Sequence, residues 1–183
     1  MNCLQSLQMK QRRHFYRTFF LSILLGTITF IGLYPFFTLL QSVSSFYQLT
    51  FWQFTAFTAA LFPLHAMIHL GAFWLFKYKV KPKIMKRKRK FYFYYKHADP
   101  APRNIYLMSL LAPFVCLSGP LFIGAAAFPA LMPYFLFAAA VNTGISFADL
   151  RFALLLLKTP RQAYIESRHN HIDILTKEPS SAS

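Results

Sequence analysis

Two histidines one helical turn apart, His65 and His69 in Leu64-His65-Ala66-Met67-Ile68-His69, lie deep in an apolar stretch, and Asp149, the lone acid of the apolar core, lies in another. An ionised side chain at bilayer depth costs about 2.5–3.5 kcal/mol even on insertion scales, so such a group is a functional candidate by default. Imidazoles at i and i+4 share one helix face, as the two histidines of the H-E-x-x-H zinc motif do. Ala66 stands where that motif carries its general-base glutamate. The pattern is that of a metal site without its base. A second account of the pair needs no metal: neutral imidazoles hydrogen-bond to carbonyls of neighbouring helices near Pro63, Pro113 or Pro120, where proline frees a backbone acceptor.

Composition decides which elements must carry these residues. The chain has 183 residues, 56% hydrophobic and 19% aromatic, with 22 phenylalanines. That is too apolar for an ordinary soluble domain of this length and points to an all-α membrane protein. No Lys, Arg, Asp or Glu occurs from Thr18 to Phe76 or from Asn104 to Ala148, and the apolar pattern resumes through Leu154-Leu155-Leu156-Leu157. A bilayer core takes about 20 residues per helix, so each run holds two spans. The four expected segments are 18–40, 51–76, 104–127 and 133–157. They form a membrane domain over 18–158, preceded by a basic cytoplasmic segment at 1–17, interrupted by a basic, aromatic cytoplasmic loop at 77–103, and followed by a cytoplasmic tail at 159–183.

Charge placement supports that division. Twenty basic residues face only five acidic ones, a formal net charge of +15. Lys10, Arg12, Arg13 and Arg17 precede the first span, most others fall between Lys77 and Arg103, and Lys158, Arg161, Arg168 and Lys177 follow the fourth. The two remaining loops carry none, the positive-inside pattern for four helices with both termini in the cytoplasm. Orientation and attraction to anionic lipid headgroups therefore account for the charge, and nucleic acid is not an expected partner. The basic start followed by an apolar run lacks a small-x-small cleavage site and is expected to be a retained anchor. Cys3 and Cys116 fall in different environments, so neither a disulfide framework nor a cysteine metal site is expected.

Between the second and third spans, a basic run ending in Lys86-Arg87-Lys88-Arg89-Lys90 is followed by Phe91-Tyr92-Phe93-Tyr94-Tyr95 and the turn-forming Asp99-Pro100-Ala101-Pro102. Aromatic runs bounded by proline favour strand, so a β-hairpin is one expectation; an interfacial belt with rings at headgroup level is the other. An exposed edge there could bind an extended peptide by strand addition. In the tail, Ile172-Asp173-Ile174 alternates like a short strand, and the nearby His169 and His171 need no metal to explain them.

Depth tests whether the histidine pair and Asp149 can share a site. His69 lies eight residues before Lys77 and Asp149 nine before Lys158. At 1.5 Å per residue both lie about 12–14 Å below the same boundary. Asn142, seven residues before Asp149, shares its face and could hydrogen-bond a carbonyl, a peptide or a ligand, whereas Arg151 points elsewhere.

The motif at His65 to His69 followed by Gly71 and Phe73, then Leu110-Leu111-Ala112-Pro113-Phe114, then Asn142-Thr143-Gly144-Ile145-Ser146-Phe147-Ala148-Asp149-Leu150, resembles a family of small bacterial membrane proteins classed as zincin peptidases, relatives of the site-2 intramembrane metalloproteases. The resemblance runs from about Phe51 to Leu175. It implies zinc as cofactor, His65, His69 and Asp149 as ligands, and Asn142 as a residue that helps hold substrate. It further implies a bacterial cell membrane location, with lipid and a transmembrane or membrane-proximal peptide as partners. Two departures stand out: Ala66 replaces the glutamate that accepts a proton from the attacking water, and Leu70 precedes Gly71, displacing the glycine that often follows the second histidine. Losing a positioned base costs about 10²–10⁴ in rate, while metal binding needs only the ligands. The leading expectation is thus a metallopeptidase homologue impaired in hydrolysis, with no catalytic base in its motif. Its rivals are a non-catalytic membrane adaptor without metal and an active peptidase with another base.

Overall fold

In the computed structural model, residues 2–8, 12–41, 45–78, 80–87, 90–97, 100–167 and 171–176 are described, with side chains at 16–41, 45–78, 100–166 and 173–175. Four long helices dominate: α1 (Arg12–Leu40), α2 (Phe51–Leu75), α3 (Arg103–Ala127) and α4 (Met132–Leu157). Each contains a stretch long and apolar enough to cross a membrane. Their ends lie within one residue of the expected segments, except that α1 begins at Arg12 rather than residue 18 and so carries three arginines in its first turns. A capping box starts α2: Thr50 Oγ1 accepts from the Gln53 backbone N–H at 3.4 Å and Gln53 Oε1 accepts from the Thr50 N–H at 3.0 Å. Its far end closes with Lys77 in the left-handed region at φ 59° and the Tyr78 N–H bonded back to the Phe73 carbonyl at 3.0 Å.

The helices pack in the order α1–α4–α3–α2, with α4 between α1 and α3 and with α3 covering α2. The α1–α4 crossing is made by glycine. A Cβ on Gly144 would lie 2.8 Å from the Ser22 carbonyl oxygen, and one on Gly26 would lie 2.9 Å from that of Ala140. Small residues at four-residue spacing on both helices permit this approach. Burial follows the same logic throughout. The interior of α4 is lined by Ala138, Ala139, Asn142, Gly144 and Ser146, while Phe20, Ile31, Phe62, Met67 and Leu154 point outward.

The strands exceed the expected elaboration. A two-stranded hairpin pairs β2 (Val80–Arg87) with β3 (Lys90–His97), from Val80 opposite His97 to Arg87 opposite Lys90. Of the two expectations for this loop, the hairpin is the one present. A separate antiparallel sheet runs β1–β6–β5–β4, where β1 is Asn2–Gln8, β4 Ala101–Pro102, β5 Tyr164–Ser167 and β6 His171–Thr176. The segment at 1–17, expected as a basic stretch ahead of the first span, supplies strand β1 as well as the first turn of α1. Pairing of β1 before α1 with β6 after α4 puts these two strands on one side of the helices. The sheet packs on the helix ends through Ile165 and Ile174, which join Phe73, Tyr106, Leu110 and Leu156 in one apolar cluster.

Arg103, the first residue of α3, is not a surface charge. It is buried, its Nε donates to the Leu156 carbonyl at 2.7 Å and its Nη2 to that of Leu157 at 3.0 Å. A cation on the last carbonyls of α4 complements the helix dipole and adds to the bonds that the Leu156 carbonyl accepts from the Thr159 N–H at 3.0 Å and Oγ1 at 2.7 Å.

Candidate metal centre

On α2 the inward stripe is Leu61, His65, His69 and Phe73, every fourth residue. Leu61 belongs to one apolar cluster and Phe73 to another, so the two imidazoles occupy a polar layer between apolar ones. On α4, Asn142, Ser146 and Asp149 follow at spacings of four and three and face the same layer. The level depths expected for His69 and Asp149 are met by contact: Asp149 Oδ2 lies 3.1 Å from His65 Nε2 and 3.3 Å from His69 Nε2, and the two Nε2 atoms are 3.2 Å apart. Side-chain exposure is 8% for His65, 12% for His69 and 22% for Asp149, so the carboxylate is the most accessible member.

The outer hydrogen bonds determine what those three atoms present to one another. His69 Nδ1 lies 2.8 Å from the Ser109 carbonyl oxygen, which can only accept, so Nδ1 carries the proton. Asn142 Nδ2 donates to the Pro113 carbonyl at 3.3 Å and to Ser118 Oγ at 3.0 Å. Its Oδ1 therefore faces His65 Nδ1 at 3.1 Å, and that nitrogen is again the donor. With Nδ1 turned outward in both rings, each Nε2 faces Asp149. Two imidazole Nε2 atoms and a carboxylate oxygen thus meet within 3.3 Å. A metal ion, or a proton on one Nε2, holds such a triangle together.

The donor set fits a metal ion. Tetrahedral zinc binds nitrogen and oxygen at about 2.0–2.2 Å, which puts ligand atoms about 3.3 Å apart. The three separations of 3.1, 3.2 and 3.3 Å match that spacing. His65, His69 and Asp149 could therefore form a metal site, the one such group among the described residues. Ala66 brings no carboxylate to it. Among the described residues the other acids are Glu166 and Asp173, both on the sheet, while Asp99 lies outside the described residues. His169 also lies outside them, and His171 stands in β6 opposite Gln8.

The site draws on one helix more than the two expected to form it. It involves α3 as well as α2 and α4, through Ser109, Pro113 and Ser118. Nothing in the sequence singles out the two serines beyond their polarity in an apolar helix. Asn142, expected to hydrogen-bond a carbonyl, a peptide or a ligand, is fully buried and bonds the Pro113 carbonyl, Ser118 and His65. Arg151 does point away from Asp149, donating to Thr18 Oγ1 of α1 at 3.2 Å.

Comparison with curated proteins finds no match, and neither does comparison with solved structures. One family model covers residues 58–164, a narrower stretch than the expected 51–175, beginning inside α2 and ending at the start of β5. Because that stretch is more than half of the chain and includes both histidines, Asn142 and Asp149, the protein belongs to the family described as "putative zincin peptidase".

Proposed function

We propose that this chain is a four-span membrane protein that holds one zinc ion through His65, His69 and Asp149 and is impaired in peptide hydrolysis by Ala66. The observation that supports the proposal is the triangle of two Nε2 atoms and a carboxylate oxygen with sides of 3.1–3.3 Å, close to the spacing of zinc ligands. Bound there, zinc would supply a Lewis acid able to polarise a peptide carbonyl. The chain's own residues do the rest. His65 and His69 present neutral nitrogens, Asp149 supplies the compensating charge, and the apolar layers around Leu61 and Phe73 exclude water. No side chain at position 66 can take a proton. That loss amounts to about 3–5 kcal/mol of barrier, equivalent to 10²–10⁴ in rate.

The kinship with site-2 intramembrane proteases rests on the order of the motifs along the chain, with the glutamate lost. Membrane residence is supported by inverted burial, small and polar residues inside and large apolar ones outside. It is supported also by Trp52 and Trp74, exposed near the two ends of α2. At 1.5 Å per residue they stand about 33 Å apart, the thickness of a bilayer's hydrocarbon core. The basic loop, the sheet and both chain termini are assigned to the cytoplasmic side of a bacterial cell membrane by the positive-inside pattern. A transmembrane or membrane-proximal peptide is the proposed ligand.

Metal analysis of detergent-purified protein is expected to give about one zinc per chain, lost in His65→Ala and Asp149→Ala. No zinc under metal-replete conditions would support a metal-free adaptor instead. Ala66→Glu is expected to create chelator-sensitive cleavage of a membrane peptide that the parent lacks. Equal chelator-sensitive cleavage by parent and variant would show an active enzyme with another base and refute impairment.

A further inference from the structure

Both histidines are oriented from α3, and both hydrogen-bond chains pass through one residue. Pro113 lies inside α3, wholly buried, and has no N–H. The carbonyl four residues earlier, that of Ser109, therefore lacks its usual helical donor. That oxygen accepts from His69 Nδ1 at 2.8 Å, the shortest bond of the cluster. The carbonyl of Pro113 itself accepts from Asn142 Nδ2 at 3.3 Å. With Ser118 Oγ taking a further bond from Nδ2 at 3.0 Å, the amide can present only its oxygen to His65 Nδ1.

We propose that Pro113 is the positioning residue of the metal centre: its missing N–H assigns the Ser109 carbonyl to His69, and its own carbonyl turns Asn142 toward His65, so that both Nε2 lone pairs face Asp149. The proposal deepens the zinc assignment and rests on it for the metal, though the tautomers themselves follow from the hydrogen bonds alone. Any other residue at 113 returns an N–H to the helix, in competition with His69 for the same oxygen. Partners that orient ligand histidines commonly govern metal affinity by 10–100-fold. Asn142 is likewise a positioning residue, with its amide committed inside the protein and no surface for substrate.

Pro113→Ala is the test, with Pro120→Ala as its control: the same substitution in the same helix, at an exposed position outside this network. Two readouts apply to the purified full chain in detergent, ring-nitrogen NMR of 15N-histidine for the tautomers and titration with Co2+ followed by its visible absorption. The parent and Pro120→Ala are expected to show Nδ1–H on both rings. Pro113→Ala is expected to lose that preference at His69 and to bind Co2+ 10–100-fold more weakly. If Pro113→Ala matches Pro120→Ala in tautomer and affinity, the positioning role is overturned. If the parent binds no Co2+ yet Pro113→Ala still changes the His69 tautomer, the positioning role stands and the zinc assignment falls.

Discussion

Replacing Asp149 with asparagine separates the holding of a cation from the filling of the site. Asp149 Oδ2 lies 3.1 and 3.3 Å from two Nε2 atoms; with both free of protons, as metal ligands must be, an amide nitrogen in its place would meet them with two hydrogens. A hydrogen bond of this kind contributes about 0.5–1.5 kcal/mol net, so the pair contributes about 1–3 kcal/mol. A carboxylate buried beside neutral rings carries a desolvation cost that an amide does not. In the presence of chelator, Asp149→Asn is therefore expected to be as stable as the parent or up to about 3 kcal/mol more stable. Metal reverses that order. Free zinc at 100 times its Kd adds about 2.7 kcal/mol to the parent, whereas the variant has lost the anionic ligand and gains little. Unfolding in detergent, followed with excess zinc and with chelator, gives all four values. The metal assignment is refuted if chelated Asp149→Asn is less stable than the chelated parent by more than about 1 kcal/mol, as loss of an imidazolium–carboxylate pair would make it, or if zinc stabilises both equally.

Gly144→Ala is expected to cost about 1–3 kcal/mol, since its methyl would stand 2.8 Å from the Ser22 carbonyl and push α1 away from α4. Gly26→Ala meets the other side of the same crossing, so the double variant should cost less than the sum, one separation relieving both clashes; strict additivity in SDS-induced unfolding would rule out that shared contact. Gly32→Ala, with nothing within 4 Å of its added methyl, serves as the control. Arg103→Ala strips the carbonyls of Leu156 and Leu157 of their charged donor and is expected to cost about 2–4 kcal/mol. Arg151→Ala, exposed and bonded to Thr18, should stay within about 0.5 kcal/mol of the parent in the same unfolding measurement.

What could be read from the chain follows the range of the forces involved. The ends of the four helices, other than the start of α1, were legible because exclusion of charge from an apolar layer acts on each segment by itself. His65, His69 and Asp149 were legible for the same reason: polar groups in apolar runs stand out, and helical rise alone put two of them at one level. The hairpin of β2 and β3 was half legible, its strand-forming residues and flanking prolines being local. Strand β1 was not. Asn2–Gln8 carries no alternation of its own and becomes a strand only against β6, a partner at the far end of the chain. Arg103 was counted with the charges that set orientation, because nothing local distinguishes a solvated arginine from one that caps another helix. The part played by α3 was hidden because its contributions are largely backbone carbonyls. The sequence marks such an acceptor only through the proline four residues later, the feature first used to explain the histidines without a metal.

The pairing of Asn2 with Thr176 also bears on how the molecule is assembled. During synthesis the leading strand leaves the ribosome with no neighbour to hydrogen-bond and stays so until every helix has been made. Contacts this distant in sequence form slowly, because closing the intervening loop must come first. Helix formation and sheet completion are thus separate events in time. Shortening the chain ahead of β6 would leave two edges open, those of β1 and β5, where strand-to-strand aggregation begins.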